Sequence, residues 1–384
     1  MRNGLLWESL EALLIPADSF TEVRREARQF LRQCKAESRY HSRSDNWHIG
    51  FSPEFTKLLA GRGWIGMTWP TEFGGRAAAA GERLAVIEEL LGAGAPLAAH
   101  WVGDRQVGPT ILKFGTVEQA HRFLPAMANG ECYFALGMSE PDAGSDLASV
   151  RTFARKQEDG TWVLNGSKIW SSHAHRCDYM VVLCRTDSTV SSKHEGLSQL
   201  IVPLRSEGVQ VSPIRSTGGH KHFAEVSFTN VHLDNDALLG TDGDGWTQVR
   251  AELAYERSGP ERYLSTWPLI AAMLTESPGS DRNRTAAVQY LARIQSLRSL
   301  SRAVGHLMDS GKPPEVLACV VKDIGTSLES DSVFAFEAAK ADAGDNDMDA
   351  SEELKNLARL FPSFTLRGGT NEVLRTVLAR GIYE

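Results

Sequence analysis

The segment from Leu136 to Asp146 has the residue types of a ligand-binding loop. An apolar run is followed by small residues, and Gly144 between short side chains would let the backbone come close to a ligand. Exposed N–H groups in such a loop can hydrogen-bond the edge of a flavin ring or a pyrophosphate. The segment alone is more typical of an ordinary turn, so a second feature is needed.

That second feature begins at Trp162, about two dozen residues further on. Trp162 to Gly166 is predicted to form a hairpin with its turn at Asn165-Gly166. The strand that follows contains Trp170, whose broad face could cover a flavin ring, and the hydroxyls of Ser171 and Ser172 could hydrogen-bond its polar edge. An isolated Asn-Gly hairpin is usually no more than a hairpin.

A third candidate is the carboxylate of Glu256, which continues an apolar helical stripe. The stripe is spaced i, i+3, i+7 and i+10 and consists of Trp246, Val249, Leu253 and Glu256. A carboxylate in this position is expected to be at least partly buried, as a catalytic base must be, and Gly259-Pro260 ends or kinks the helix just beyond it. The alternative is a surface ion pair with Arg257 near the helix end.

Three regions of different character position these residues. The first third predicts helices at Phe20–Cys34, Pro53–Gly61 and Gly81–Leu91. From Glu131 onward, short β-branched segments punctuated by Gly, Asn and Asp predict a compact antiparallel sheet or barrel. After Gly245 the helical pattern returns, which gives the order helices, β-structure, helices.

Composition excludes several other classes of protein. The 384 residues carry a formal charge of −7, which offers no footing for a nucleic-acid backbone. No apolar stretch is long enough for a membrane span, the N-terminus lacks the form of a signal peptide, and five scattered cysteines suit reduced thiols, so a cytoplasmic location is expected. The pairs His173/His175 and His220/His222 lack a Cys or carboxylate cluster, so no metal site is expected.

The two loop segments, in this order and at this spacing, closely resemble the acyl-CoA dehydrogenase family. Residues 223–231 and 238–240 look like the end of that family's β-domain, and Leu366 to Val373 looks like its C-terminal Gly-Thr motif. The resemblance covers the chain from about residue 20 to 382. It implies a multidomain α+β fold with an N-terminal helical domain (1–133), a middle β-barrel-like domain (134–240) and a C-terminal four-helix bundle (241–384).

The resemblance also implies a reaction and a site. Members of the family bind FAD and oxidise an acyl-CoA to the trans-2-enoyl-CoA, a base removing the α-proton and flavin N5 accepting the β-hydride. The implied cofactor-binding residues are Leu136, Met138, Ser139, Gly144, Ser145, Trp170, Ser171, Ser172, Thr370 and Glu372. The implied substrate-binding residues are Ser145, Arg257, Gly368 and Gly369. Many members place the base directly before the C-terminal Gly-Thr, where this chain has Gly368; a minority use a Glu-Arg pair like Glu256-Arg257.

The chain departs from the family in two segments that usually reach a neighbouring subunit's FAD. An Arg-x-x-Phe-Gly run and a Gln-x-x-Gly-Gly-x-Gly run have no counterpart in residues 273–282 and 337–345. The chain is therefore expected to be either one half of a hetero-oligomer with a second acyl-CoA dehydrogenase-like subunit, or a homo-oligomer with fewer FAD contacts. Electron-transfer flavoprotein is the implied electron acceptor. Remaining alternatives are an oxidase, an acyl-carrier-protein dehydrogenase and a non-catalytic subunit.

Overall fold

The computed structural model describes residues 20–276, 281–312, 314–343 and 348–383. The chain forms two compact units, each assembled from separate stretches. Unit 1 consists of Met1–Gly50, Ala78–Pro96 and Ala254–Glu384, and unit 2 of Phe51–Ala77 and Leu97–Leu253. The domain boundaries at residues 133 and 240 stay a prediction.

The helices of the first third of the chain are mostly short, and two of them begin at residues whose side chains cap the helix N-terminus. They are α1 (Thr21–Ala36), α2 (Asn46–Ile49), α3 (Pro53–Ala60), α4 (Ala80–Gly92), α5 (Ala98–Val102), a π-helical turn (Gly103–Val107), α6 (Gly108–Phe114) and α7 (Val117–Ala128). The Ser52 side chain caps α3, which has Pro53 in its first turn, and Thr116 with Gln119 forms a capping box at α7. The three helices predicted from periodicity are confirmed as α1, α3 and α4.

Unit 2 is built on one mixed, mainly antiparallel sheet. Its strands are β1 (Phe134–Gly137), β2 (Phe153–Lys156), β3 (Trp162–Ser172), β4 (Tyr179–Arg185), β5 (Leu197–Pro203), β6 (Val209–Ile214), β7 (Phe223–Leu233) and β8 (Leu238–Leu239). They follow the order β6-β7-β3-β2-β4-β5-β8, with β1 added in parallel to β4. A core of alternating apolar residues from β3, β4, β5 and β7 lies on one face, so the predicted β-region is confirmed.

The predicted hairpin at Asn165-Gly166 is wrong. The turn between β2 and β3 lies earlier, where the N–H of Gln157 donates to Thr161 O at 2.8 Å and Gly160 has a φ of +88°. Asn165 and Gly166 lie inside β3, and a Cβ on Gly166 would come within 2.6 Å of the Thr152 backbone. The glycine therefore serves a bulge and a close backbone approach instead of a turn.

Helices return after β8 and continue to the end of the described chain. They are α8 (Gly245–Ser258), α9 (Trp267–Glu276), α10 (Asp281–Asp309), α11 (Glu315–Ala343), α12 (Met348–Leu360) and α13 (Asn371–Tyr383). Leu269, Val333, Leu357 and Phe364 form a buried cluster among them. Residues 277–280 and 344–347, where two departures from the family fall in part, lie outside the described residues. No helix of the described ranges is both long and apolar enough to cross a membrane.

Candidate active site

The loop after β1 is a tight turn fastened to the neighbouring strand. The N–H of Glu140 donates to Ala143 O at 2.9 Å, and the N–H of Ala143 donates back to Glu140 O at 3.1 Å. Ser139 O accepts a 2.9 Å bond from the N–H of Ile169 in β3. Leu136 and Met138 are half-buried, whereas Gly144 and Ser145 are exposed. The loop therefore presents both side chains and backbone at the surface of the protein.

A buried ion pair holds this loop from beneath. The ammonium of Lys168, which is fully buried, donates to Glu140 Oε1 at 2.8 Å and to Met138 O at 2.9 Å. Glu140 also accepts from the backbone N–H groups of Arg151 at 2.7 Å and Thr152 at 2.8 Å. Burial opposes ionisation of Glu140, but the charge of Lys168 and these donors outweigh it and lower the pKa of Glu140. The loop is therefore rigidly positioned.

Trp170 is displayed on β3 in an unusual backbone conformation. Its φ is +60°, its side chain is 55% exposed, and the register between β3 and β7 shifts between Lys168 and Ser171. A bulky residue in the left-handed region costs about 1–3 kcal/mol, and such strain clusters at ligand sites. The bulge turns the large indole of Trp170 outward, although an apolar ring of this size is usually buried.

The residues around Trp170 fit a planar polar ring such as a flavin. Ser171 Oγ is buried, and no described residue hydrogen-bonds it. Ser172 is half-buried at the end of β3, and the ring of Phe223 stands edge-on to the Trp170 indole at 5.7 Å. An aromatic face beside an unsatisfied hydroxyl offers stacking and one hydrogen bond to a ligand. The predicted cofactor residues of unit 2 thus lie together on β3 and the loop after β1.

Glu256 lies in the last turn of α8, in unit 1. Its side chain is 19% exposed, so it is partly buried, as the apolar stripe predicts. Arg262, in the 3₁₀ turn Pro260–Arg262, donates through Nη2 to Glu256 Oε1 at 3.2 Å and through Nε and Nη2 to Glu256 O at 3.1 and 3.0 Å. The ion pair of Glu256 is therefore with Arg262 and is not the surface pair with Arg257.

The Gly-Gly-Thr segment approaches this carboxylate. Gly368 and Gly369 have φ values of +71° and +90°, and a Cβ on Gly368 would lie 3.1 Å from Glu256 Oε1. Arg257 Nε donates to Gly368 O at 3.0 Å. Four predicted residues, Glu256, Arg257, Gly368 and Gly369, are thus brought together.

Thr370 and Glu372 belong to the start of α13. Thr370 Oγ1 accepts from the N–H of Val373 at 3.3 Å, which caps the helix. Glu372 is exposed, and its pKa is lowered by its own backbone N–H and by the Thr370 hydroxyl. Both residues lie in unit 1, and a role toward the cofactor stays a prediction for them.

The loop before α13 is held by a buried lysine of α11. Lys322 Nζ donates to Thr365 O at 2.8 Å, Gly369 O at 2.7 Å and Asn371 Oδ1 at 2.6 Å. Burial, with repulsion from Arg262, lowers the pKa of Lys322 to about 7. Three acceptors around one Nζ fix the loop that carries Gly368.

Sequence comparison matches this chain to one family. The chain matches the acyl-CoA dehydrogenase N-terminal domain over residues 18–131 and the middle domain over residues 135–231. Acyl-CoA dehydrogenase IpdE1 of Mycolicibacterium smegmatis is 31% identical, over 84% of this chain and 86% of that protein. The chain belongs to the acyl-CoA dehydrogenase family. Acyl-CoA dehydrogenase IpdE1 of Mycobacterium tuberculosis is 43% identical, but that match spans about half of each protein, 53% and 52%.

Solved structures of acyl-CoA dehydrogenases share the fold. The Tcur3481-Tcur3483 steroid ACAD is 29% identical, with a TM-score of 0.82 over 95% of this chain and 97% of that one. The ChsE4-ChsE5 complex from Mycobacterium tuberculosis is 26% identical, with a TM-score of 0.80 over 95% and 97%. The helix–β–helix acyl-CoA dehydrogenase fold predicted from the resemblance is confirmed, and the family is one of FAD-dependent oxidoreductases.

Three buried basic residues of this acyl-CoA dehydrogenase were not predicted from the sequence: Lys168, Arg262 and Lys322. Lys168 follows the buried Trp162 and Leu164 at even spacing on β3, so a lysine in an inward position was the available signal. Lys322 directly follows the apolar run of Leu317 to Val321, which is a weaker signal of the same kind. Arg262 has no comparable local signal, because its partner Glu256 is reached only after the chain turns at Gly259-Pro260.

Proposed function

We propose that this chain is an FAD-dependent acyl-CoA dehydrogenase that forms a trans-2-enoyl-CoA, with Glu256 as the base. The observation that carries the proposal is the place of the Glu256 carboxylate. Many family members carry the base on the residue directly before the Gly-Thr, which is Gly368 here. Glu256 Oε1 lies 3.1 Å from where a side chain on Gly368 would begin. The carboxylate from α8 thus fills the space that the missing side chain leaves.

Residues of unit 2 would hold the cofactor. The exposed Trp170 indole would cover the isoalloxazine ring, and the hydroxyls of Ser171 and Ser172 would bond its polar edge. The loop from Leu136 to Ser145 would contribute backbone donors. When bound, FAD supplies the acceptor for the hydride that leaves the β-carbon.

Residues of unit 1 would handle the proton. Glu256 takes the α-proton of the thioester, and the electron pair of that C–H bond passes into the enolate form of the thioester. A backbone N–H near Gly368 would donate to the thioester oxygen as negative charge builds there. Arg257, bonded to Gly368 O, keeps the orientation of that peptide group fixed. Ser145 and Gly369 are the other proposed substrate contacts.

The test of the base is Glu256→Gln in the flavin-loaded protein. We expect the variant to keep its flavin and its fold but to bleach the flavin at least about a hundredfold more slowly with an acyl-CoA, because a positioned base contributes 10²–10⁴-fold. Anaerobic single-turnover absorbance with straight-chain, branched and steroid-derived acyl-CoAs measures this rate and ranks the acyl groups.

Asp331→Asn is the matched control, because this exposed carboxylate of unit 1 pairs only with the exposed Arg293 among the described contacts. It should bleach at the wild-type rate. Normal turnover by Glu256→Gln with full flavin content would refute the assignment. Rapid reoxidation of the reduced flavin by oxygen would instead identify an oxidase, and reaction only with carrier-bound acyl groups an acyl-carrier-protein dehydrogenase.

We also propose that the active form is a hetero-oligomer with a second acyl-CoA dehydrogenase-like chain, with electron-transfer flavoprotein as acceptor. The two neighbour-reaching segments typical of the family are missing from this sequence. Two similar structures are named as pairs of chains, ChsE4-ChsE5 and the Tcur3481-Tcur3483 steroid ACAD, which makes a steroid-derived acyl group the first substrate to try. A fully flavin-loaded, active homo-oligomer obtained from this chain alone would overturn the proposal.

A further inference from the structure

Arg262 binds both the backbone and the side chain of Glu256. Its Nε and Nη2 chelate Glu256 O at 3.1 and 3.0 Å, and Nη2 reaches Glu256 Oε1 at 3.2 Å. One planar guanidinium therefore closes the C-terminal end of α8 and fixes the direction of the carboxylate from the same residue. A lysine could not do both, because its ammonium lacks the rigid fork.

The guanidinium is itself held in place. Arg262 is 1% exposed, and its Cζ lies 5.8 Å from the centre of the Trp47 ring. Glu261 Oε1 lies 3.5 Å from its Nε. Its backbone carbonyl packs against Gly325 of α11, where a Cβ would come within 2.3 Å of the oxygen. With so little freedom, Arg262 cannot follow Glu256 to another position, so it acts as a fixed anchor.

Gly368 leaves the space in which this pair sits. A Cβ there would lie 3.1 Å from both Arg262 Nη2 and Glu256 Oε1. The carboxylate and the guanidinium are thus in contact at the point where the backbone of the Gly-Gly loop passes. The loop, the base and the arginine form one packed group within unit 1.

The charged groups near the carboxylate are of both signs. The basic ones are Arg257, Arg262, Lys322 and Arg367, the acidic ones are Glu261 and the buried Glu252 one turn earlier on α8, and the thiol of Cys319 lies beside Arg257. Among the described contacts, Arg262 is the cation bonded to the carboxylate, while Arg257 is directed to Gly368 O and Lys322 to loop carbonyls. An opposite charge within 4–6 Å favours the ionised form of a carboxyl group.

We infer that Arg262 is a positioning residue that fixes the rotamer of Glu256 and keeps its carboxylate ionised, ready to take a proton, before substrate arrives. The inference rests on the proposed function of Glu256. Arg262 makes and breaks no bond in the reaction. It acts through Glu256. It raises the fraction of enzyme molecules in which the Glu256 carboxylate is ionised and points in the reactive direction.

The test compares Arg262→Gln and Arg262→Lys in the flavin-loaded protein, with its partner chain if one is needed. The probe is the acyl-CoA of the panel that bleaches wild-type flavin fastest. In Arg262→Gln the acidic limb of the kcat/KM profile should move to higher pH by about 1 unit or more. Arg262→Lys should keep the limb close to wild type, because the charge is retained, but lower kcat at least about threefold, because the fork is lost.

Arg293→Gln is the matched control, since it removes an exposed arginine of the same unit and should move neither quantity. An unmoved acidic limb in a folded, flavin-loaded Arg262→Gln overturns the inference. If Arg262→Gln does not fold, Arg262→Lys decides, and a wild-type kcat in that variant overturns the positioning role. Glu256→Gln is measured alongside: if it turns over normally, the base assignment itself fails, whereas an inactive Glu256→Gln with an unmoved Arg262→Gln profile refutes only the role of Arg262.

Discussion

At the scale of single residues, the predicted cofactor loop depends on a lysine below it. Lys168 is fully buried, and its ammonium joins Glu140 to Met138 O, so the loop cannot shift without separating a buried ion pair. Removing one partner of such a pair costs more than the pair itself contributes, because the other charge stays buried.

We therefore expect Lys168→Met to lower the free energy of unfolding by roughly 3 kcal/mol or more and to weaken FAD binding. Urea unfolding and FAD titration of the apoprotein measure the two effects. Lys193→Met is the control: Lys193, in the segment between β4 and β5, bonds the exposed Asp146 of this loop at 2.6 Å, and its loss should change stability by less than about 1 kcal/mol. Equal losses in the two variants would contradict the role given to Lys168.

Trp170 combines backbone strain with an exposed ring, so stability and binding should move in opposite directions when it is replaced. Trp170→Gly should unfold no more readily than wild type and gain up to about 1 kcal/mol, because glycine adopts a φ of +60° freely. Its FAD affinity should fall at least about tenfold, because the covering ring is lost. Trp170→Phe keeps both strain and ring and should change little. FAD binding at wild-type strength by Trp170→Gly would exclude the indole from the site.

At the scale of elements, α11 secures the loop before α13 through Lys322. The ordinary lysine pKa is near 10.4, and in the folded chain the pKa of Lys322 is about 7. Between these values the unfolded chain binds a proton at this residue and the folded chain does not. The contribution of Lys322 to the free energy of unfolding therefore rises with pH across this window and is flat below about pH 7.

The difference in unfolding free energy between wild type and Lys322→Met isolates this effect. We expect the unfolding free energy of wild type to rise, relative to that of Lys322→Met, by roughly 1 kcal/mol per pH unit from about pH 7 to 10. Urea unfolding at a series of pH values measures the slope. A difference that is constant over pH 6–10 would mean that the buried lysine keeps its proton throughout.

Element types could be predicted from the sequence where one local pattern decides them. The amphipathic spacing of α1 and α4 and the β-branched runs of the sheet are such cases. The role of Asn165-Gly166 could not be predicted in this way. A glycine is needed both in a hairpin turn and in a strand whose backbone passes close to Thr152, so the local sequence does not distinguish the two. The partner of Glu256 was also out of reach, since Arg262 meets it only through the three-dimensional path of the chain.

At the scale of the whole molecule, unit 1 is discontinuous and is joined by buried ion pairs distant in sequence. Arg367 bonds Asp45 at 2.9 Å, which connects the first and last stretches of the unit. Glu88 of α4 pairs with Arg298 of α10 at 2.9 Å, which connects the middle and last stretches. Burial is outweighed by the charge of Arg367 together with the neighbouring His48, which lower the pKa of Asp45 to about 2 and keep it ionised at neutral pH.

This discontinuity has a consequence during synthesis on the ribosome. The first two stretches of unit 1 contact each other, as in the pair of Arg24 with Glu88, but their partners in the third stretch begin only at Ala254, after all of unit 2 has been made. At 5–20 residues per second, that delay is roughly ten to thirty seconds. The surface of α4 that packs on the third stretch therefore stays uncovered until unit 2 has been completed. Hydrogen exchange on ribosome-stalled chains would show this order as late protection of α4, whereas protection of α4 before Ala254 emerges would exclude it.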